Sequence, residues 1–118
     1  MFGKLISVID KLNEGNVIEA GNMLLDLARE YKDQDRIIGL LAEIEKEIKE
    51  FKNDKEFLYN LDSPFSEMLR KSVEEMRVCR ENKLKALILH TLYIISEGNE
   101  ILLNMIKKAN IGKPNTFI

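Results

Sequence analysis

One histidine, His90, and one cysteine, Cys79, are all that the chain offers in imidazole and thiol chemistry. A lone histidine cannot build a His-based metal cluster or a His pair. His90 stands among Leu87, Ile88, Leu89 and Leu92, so it reads as a structural histidine in an apolar helix rather than a general base. Cys79 has Arg77 and Arg80 beside it, cations that would stabilise a thiolate, but it falls on an apolar stripe and reads as a buried, inert thiol. It also has no second cysteine with which to close an intramolecular disulfide. The sequence contains no Gly-rich phosphate loop, CxxC pair, HExxH or GxSxG. Facing helices build metal sites from paired carboxylates, and Glu47 with Glu50 and Glu97 with Glu100 have ExxE spacing. Neither pair is followed by a second ExxD or ExxH, and the richness of the region in Glu and Lys accounts for the spacing. These residues predict no catalytic site, no metal and no cofactor.

A basic strip is the next candidate. Arg70, Lys71, Arg77, Arg80, Lys83 and Lys85 lie close together, and Arg70 and Arg77 are seven apart, which puts them on one helical face suited to phosphate contacts. Glu67, Glu74, Glu75 and Glu81 are interleaved, with Glu74 between the two arginines in helical spacing, so a solvated, salt-bridged face is the plainer reading. Aromatic stacking residues are missing from the strip, which weakens single-strand binding further.

The elements that would carry these residues are helices. Apolar residues recur in steps of four and three at Ile37, Leu41, Ile44, Ile48 and Phe51. The rhythm returns at Leu84, Ile88, Thr91 and Ile95 and continues through Gly98, Leu102, Met105 and Ala109. A first helix is expected from about Phe2 to Asn13, ended by Gly15. Asn16 reads as the N-cap of a second helix, with Glu19 reaching back in a capping box, and this helix buries Val17, Ala20, Leu24, Leu27 and Tyr31. A third is expected from Arg36 to Lys52, with Glu43, Glu45, Lys46, Glu47, Lys49 and Glu50 on its outer face. Residues Asn53 to Asp62 have no clean period and read as a connector laying aromatics over the core. Ser63-Pro64 marks a fourth start, and that helix should bury Phe65, Met68, Leu69, Val73, Met76 and Cys79 as far as Arg80. The final stretch is either one helix from Lys83 to Ala109 or two broken at Ser96-Glu97-Gly98-Asn99. The unbroken rhythm favours one long helix, kinked near Gly98. Ala86 to Ile95 is apolar nearly all round, as a central helix would be.

Glu14-Gly15-Asn16-Val17-Ile18-Glu19-Ala20 resembles the inter-helix turn of a tetratricopeptide repeat, and Asn82-Lys83-Leu84-Lys85-Ala86 echoes it. The family's Trp, Tyr and closing Pro positions are unmatched, and an ordinary αα-hairpin has the same makeup. Asp62-Ser63-Pro64-Phe65 resembles the acidic–Pro–aromatic helix start of the helical domain of archaeal GINS replication proteins, without that family's Arg-rich final helix.

At 118 residues the chain is one domain, expected to be an all-α, single-domain antiparallel bundle of five or six helices over 1–112 with a short tail, 113–118. Hydrophobic residues are 45% and charged residues 32%, which excludes collagen-like and disordered classes, and a net charge of −2 argues against a generic nucleic-acid coat. The N-terminus lacks the pattern of a signal peptide, and the longest apolar stretch falls short of the roughly 20 residues that span a bilayer, so a cytoplasmic location without membrane contact is expected. The reading that follows is a non-catalytic protein–protein interaction module or small subunit of a larger assembly. Its partner is protein, including a second copy as a homodimer, and Phe117 and Ile118 are candidate apolar contacts. The alternative is a nucleic-acid-associated subunit of a replication or defence complex using Arg70, Lys71, Arg77, Arg80 and Lys83.

Overall fold

The computed structural model describes residues 2–59, 66–97 and 99–111. Among them are five helices: α1 (Phe2–Asn13), α2 (Val17–Ala28), α3 (Gln34–Tyr59), α4 (Ser66–Ile95) and α5 (Glu100–Ile111). No described helix is long and apolar enough to cross a membrane. Phe65, Gly98, the tail 113–118 and its contact candidates Phe117 and Ile118 lie outside the described residues.

The turn between α1 and α2 needs Gly15, whose φ of 85° lies in the left-handed region where a Cβ would be strained. Asn16 is the N-cap of α2, as expected, but the capping box does not form. The Asn16 amide donates to Glu14, its side chain makes no cap hydrogen bond, and Glu19 pairs instead with Lys11 at 3.4 Å. A device missing from the sequence reading joins α2 to α3. The Gln34 amide donates to the carbonyl of Ala28, which also accepts from the Tyr31 N–H, and to the carbonyl of Tyr31, tying the turn after α2 to the start of α3.

Two helices differ in extent from expectation. α3 continues through 53–59, where a connector was expected, and α4 does not stop at Arg80. No Gly or Pro lies between Arg80 and Lys83, and both residues are tied to α3 by ion pairs, so the backbone has no reason to break there. The second tetratricopeptide-like stretch, Asn82 to Ala86, is therefore mid-helix and not a turn. Nor is the last helix long or kinked near Gly98: α4 ends at Ile95 and α5 starts afresh at Glu100. Asn99 explains the new start, because its side-chain oxygen accepts from the Leu102 N–H at 3.1 Å and its carbonyl from Leu103 N–H. The four-three rhythm survives the break because both helices turn the same stripe inward.

The core lies where α1, α2 and α5 meet the first half of α3 and the second half of α4. Leu5, Val8, Ile9 and Leu12 come from α1, Leu24 and Leu27 from α2, Ile37 and Ile44 from α3, and Leu102 and Ile106 from α5. Leu84, Ile88 and Leu92 represent α4, with Thr91 buried beside them and its hydroxyl donating to the Leu87 carbonyl at 2.8 Å. α2 approaches α3 closely at Gly21, where an added Cβ would sit 2.9 Å from the Ile48 δ-methyl. The last stretch of α4 is not surrounded, since Ala86, His90 and Tyr93 are exposed. His90 is thus not the buried structural histidine expected.

The molecule measures 54 × 28 × 19 Å, elongated by the outer parts of α3 and α4. Arg36 meets Glu97, Glu47 meets Lys83 and Asp54 meets Arg80, so numbers rise along α3 as they fall along α4. Among the described side chains, none is buried on α3 beyond Glu47 or on α4 before Leu84. Met68, Leu69, Met76 and Cys79, expected inside, are exposed, and Val73 is half-buried. The reason is geometric: one helix, α3, has only one flank to offer, and the other helices do not cover the rest.

Candidate interaction face and the charged seam behind it

The outer parts of α3 and α4 are joined by charge. Arg80 is the hub. Its Nε donates to Asp54 at 2.6 Å, and its terminal nitrogens lie 3.5 Å from Glu47 and 3.7 Å from Glu50. Lys83 donates to the other Glu47 oxygen at 2.8 Å and lies 3.6 Å from Glu43. Arg77 stacks its guanidinium 4.7 Å over the Phe51 ring and bonds Glu74 at 3.1 Å. Glu47, placed on the outer face by the sequence reading, is instead turned inward with its side chain only 5% exposed. Helical spacing explains this, since Glu47 stands three residues beyond Ile44 and four before Phe51, on the flank that meets α4.

The electrostatics follow from this crowding. Lys83 has its pKa raised, first by the hydrogen bond to Glu47 and then by that carboxylate's charge; burial opposes this, and Glu43 adds a lesser upward effect. For Arg80, burial is the largest influence and lowers the pKa. The Asp54 hydrogen bond and the charges of Asp54, Glu50 and Glu47 together outweigh it, so the net shift is upward. Glu47 Oε2 and Arg77 Nε are buried and make no hydrogen bond among the described residues. Such partly satisfied charge is costly to desolvate, so the seam contributes more to alignment of the two helices than to net stability.

Three of the five candidate phosphate contacts are thus held by the chain's own groups, Arg77 by Glu74, Arg80 by three carboxylates and Lys83 by two. Arg70 and Lys71 are exposed on the outer part of α4. The ExxE residues also pair with cations, Glu47 and Glu50 with Arg80 and Glu97 with Arg36. Cys79 and His90 are both exposed on α4, eleven residues or about 16 Å apart along the axis, too far to act as nucleophile and base within one chain. A cleft of about 390 Å³ beside the Gly15 turn reaches Phe51 and presents Glu19 and Glu81; another of about 400 Å³ lies between α1 and α2 at Lys4, Ser7 and Asp26. Neither is lined by Cys79 or His90.

In front of the seam, α4 shows solvent a face the sequence reading had assigned to the core. Met68 is 72% exposed, Met76 48% and Leu69 42%. Large apolar groups on an exposed helix face leave apolar area in water, and covering such area is favourable. Their helical period marked these residues as apolar stripe; no local signal says whether the chain itself supplies the cover. No protein-family model, curated protein or solved structure matches the chain.

Proposed function

We propose that the chain is a non-catalytic helical interaction module, a small subunit of a larger assembly, whose outer α3–α4 arm presents the contact face. In this reading the five helices form one antiparallel bundle, and the arm projects from it. The observation that carries the proposal is the exposure of Met68, Leu69 and Met76 on a helix whose inner part buries Leu84, Ile88 and Leu92. Methionine suits such a face, being unbranched and able to adapt to a partner's surface. The charged seam supports the same reading: it aligns the arm beforehand, so binding need not order it. A phosphate-bearing partner is less well supported, because Arg77, Arg80 and Lys83 already have carboxylates around them.

The test is purification of the tagged protein from cells of its source, beside a Met68→Glu/Met76→Glu variant, each with and without nuclease. The expected result is a stoichiometric protein that survives nuclease and is lost from the variant, with the variant's helical circular dichroism and melting unchanged. Equal capture by the variant overturns the reading. Loss on nuclease treatment replaces it with a nucleic-acid contact at Arg70 and Lys71.

A further inference from the structure

We propose that α4 packs against α4 of a second copy of this chain, running in the opposite direction and centred on Cys79. This rests on the reading of the face as a contact surface and names what covers it. From Met68 to Tyr93 one side of α4 stays exposed, with positions recurring in steps of four and three along about 40 Å of helix. Charged residues make up 32% of the chain, yet this side carries only Glu75 and Lys83. A two-fold contact requires one patch to be complementary to itself.

The pattern around Cys79 has that property. Ser72 and Ala86 lie seven residues to either side, both small and both exposed. Glu75 and Lys83 lie four residues to either side and have opposite charge. In opposite directions, Ser72 comes level with Ala86 of the second copy, so two backbones approach closely at three points. Glu75 comes level with Lys83 of the second copy. Lys83 keeps capacity for this: its side chain is 53% exposed, Glu47 takes one of its three N–H donors at 2.8 Å, and Glu43 lies 3.6 Å away. The same two helices packed in one direction would set Glu75 against Glu75 and Lys83 against Lys83, which is unfavourable.

Sedimentation across a wide concentration range, with a short bismaleimide as crosslinker, tests this on the full chain. The expected result is a dimer that is joined through Cys79, the only thiol. In a Cys79→Ser background, chains carrying Ser72→Cys should crosslink to chains carrying Ala86→Cys. Ser72→Cys chains alone should not, because their thiols would lie about 21 Å apart along the axis. Glu75→Lys should weaken the dimer about tenfold, since two attractive pairs become repulsive. A monomer at every concentration overturns the proposal, as does efficient crosslinking of Ser72→Cys chains to one another. A monomer that still captures a partner through Met68 and Met76 ends this inference and leaves the proposed function standing. Capture unaffected by the Met68→Glu/Met76→Glu change ends the proposed function whatever the oligomeric state.

Discussion

α4 is one uninterrupted helix with two different lives. Its inner part, 84–95, buries Leu84, Ile88, Thr91 and Leu92 in the core, where α4 meets α2, α3 and α5. Its outer part, 66–83, has no buried side chain among those described and meets α3 through Arg77, Arg80 and Lys83. The inner part is held by removal of apolar surface from water, which is indifferent to direction; the outer part is held by directional charge pairs that set which residue faces which. Backbone continuity therefore says little about burial. A helix extends as long as nothing breaks it, whereas a core extends only as far as neighbours surround it.

The sharpest way to break this comparison is at its inner end. Ile88→Ala should cost about 2–5 kcal/mol, because it opens a cavity in a fully buried site, and urea unfolding followed by circular dichroism reads the loss. A cost below 1 kcal/mol would mean that the inner part is not the core. Next comes the hub of the seam. Arg80→Ala should cost about 1–3 kcal/mol, less than the removal of a fully buried partner, because Lys83 remains to pair with Glu47. Asp54→Asn should cost less when Arg80 is already Ala, and strict additivity would show that the two do not interact.

Lys83 yields a smaller effect with a definite sign. Its pKa is raised above the ordinary 10.5 in the folded chain, so its pairing contributes fully below that pH and fades as pH rises through the higher folded value. The stability gap between the protein and Lys83→Met should therefore be constant from neutral pH to about 10 and narrow above 10.5. A gap that narrows on acidification alone would assign the effect to the carboxylates. The smallest change is expected at the outer end, where Met76→Ala should alter stability by less than about 0.5 kcal/mol at dilute protein, since it removes no buried contact. If Met76→Ala proves as costly as Ile88→Ala, the outer part is packed in solution and the face is already covered.

Much of the inner half was legible. Leu5, Ile9 and Leu12 of α1, Val17, Ala20, Leu24 and Leu27 of α2, and Ile37, Ile44, Leu84 and Ile88 are buried as their spacing predicts, and Gly15 makes the turn, whereas Tyr31, expected on the α2 stripe, lies beyond that helix and is half-buried, as is Leu41. The matches hold because helical period and turn chemistry are local. The failures cluster where a distant group decides the outcome. Helical spacing puts Glu47 on the face of Ile44 and Phe51, but only Arg80 and Lys83, arriving from α4, give its charge partners there. Glu19 leaves its capping box because Lys11 lies across the turn. The rhythm through Ser96 and Asn99 continued in phase, so periodicity alone did not reveal the break that the Asn99 cap produces. Met68, Met76 and Cys79 follow a core-like period on a helix with too few neighbours to bury them.

Local sequence sufficed to show that the chain is helical and where most stripes lie. Period and residue type are properties of the chain within a few turns, and they need no partner to be read. Only the packing of distant segments settled which stripes became core and which became surface, and it drew Arg77, Arg80 and Lys83 of the basic strip into the seam while Arg70 and Lys71 stayed exposed. Burial and ion pairing depend on what arrives from far along the chain, so the same four-three spacing closes the core at Ile88 and faces water at Met68.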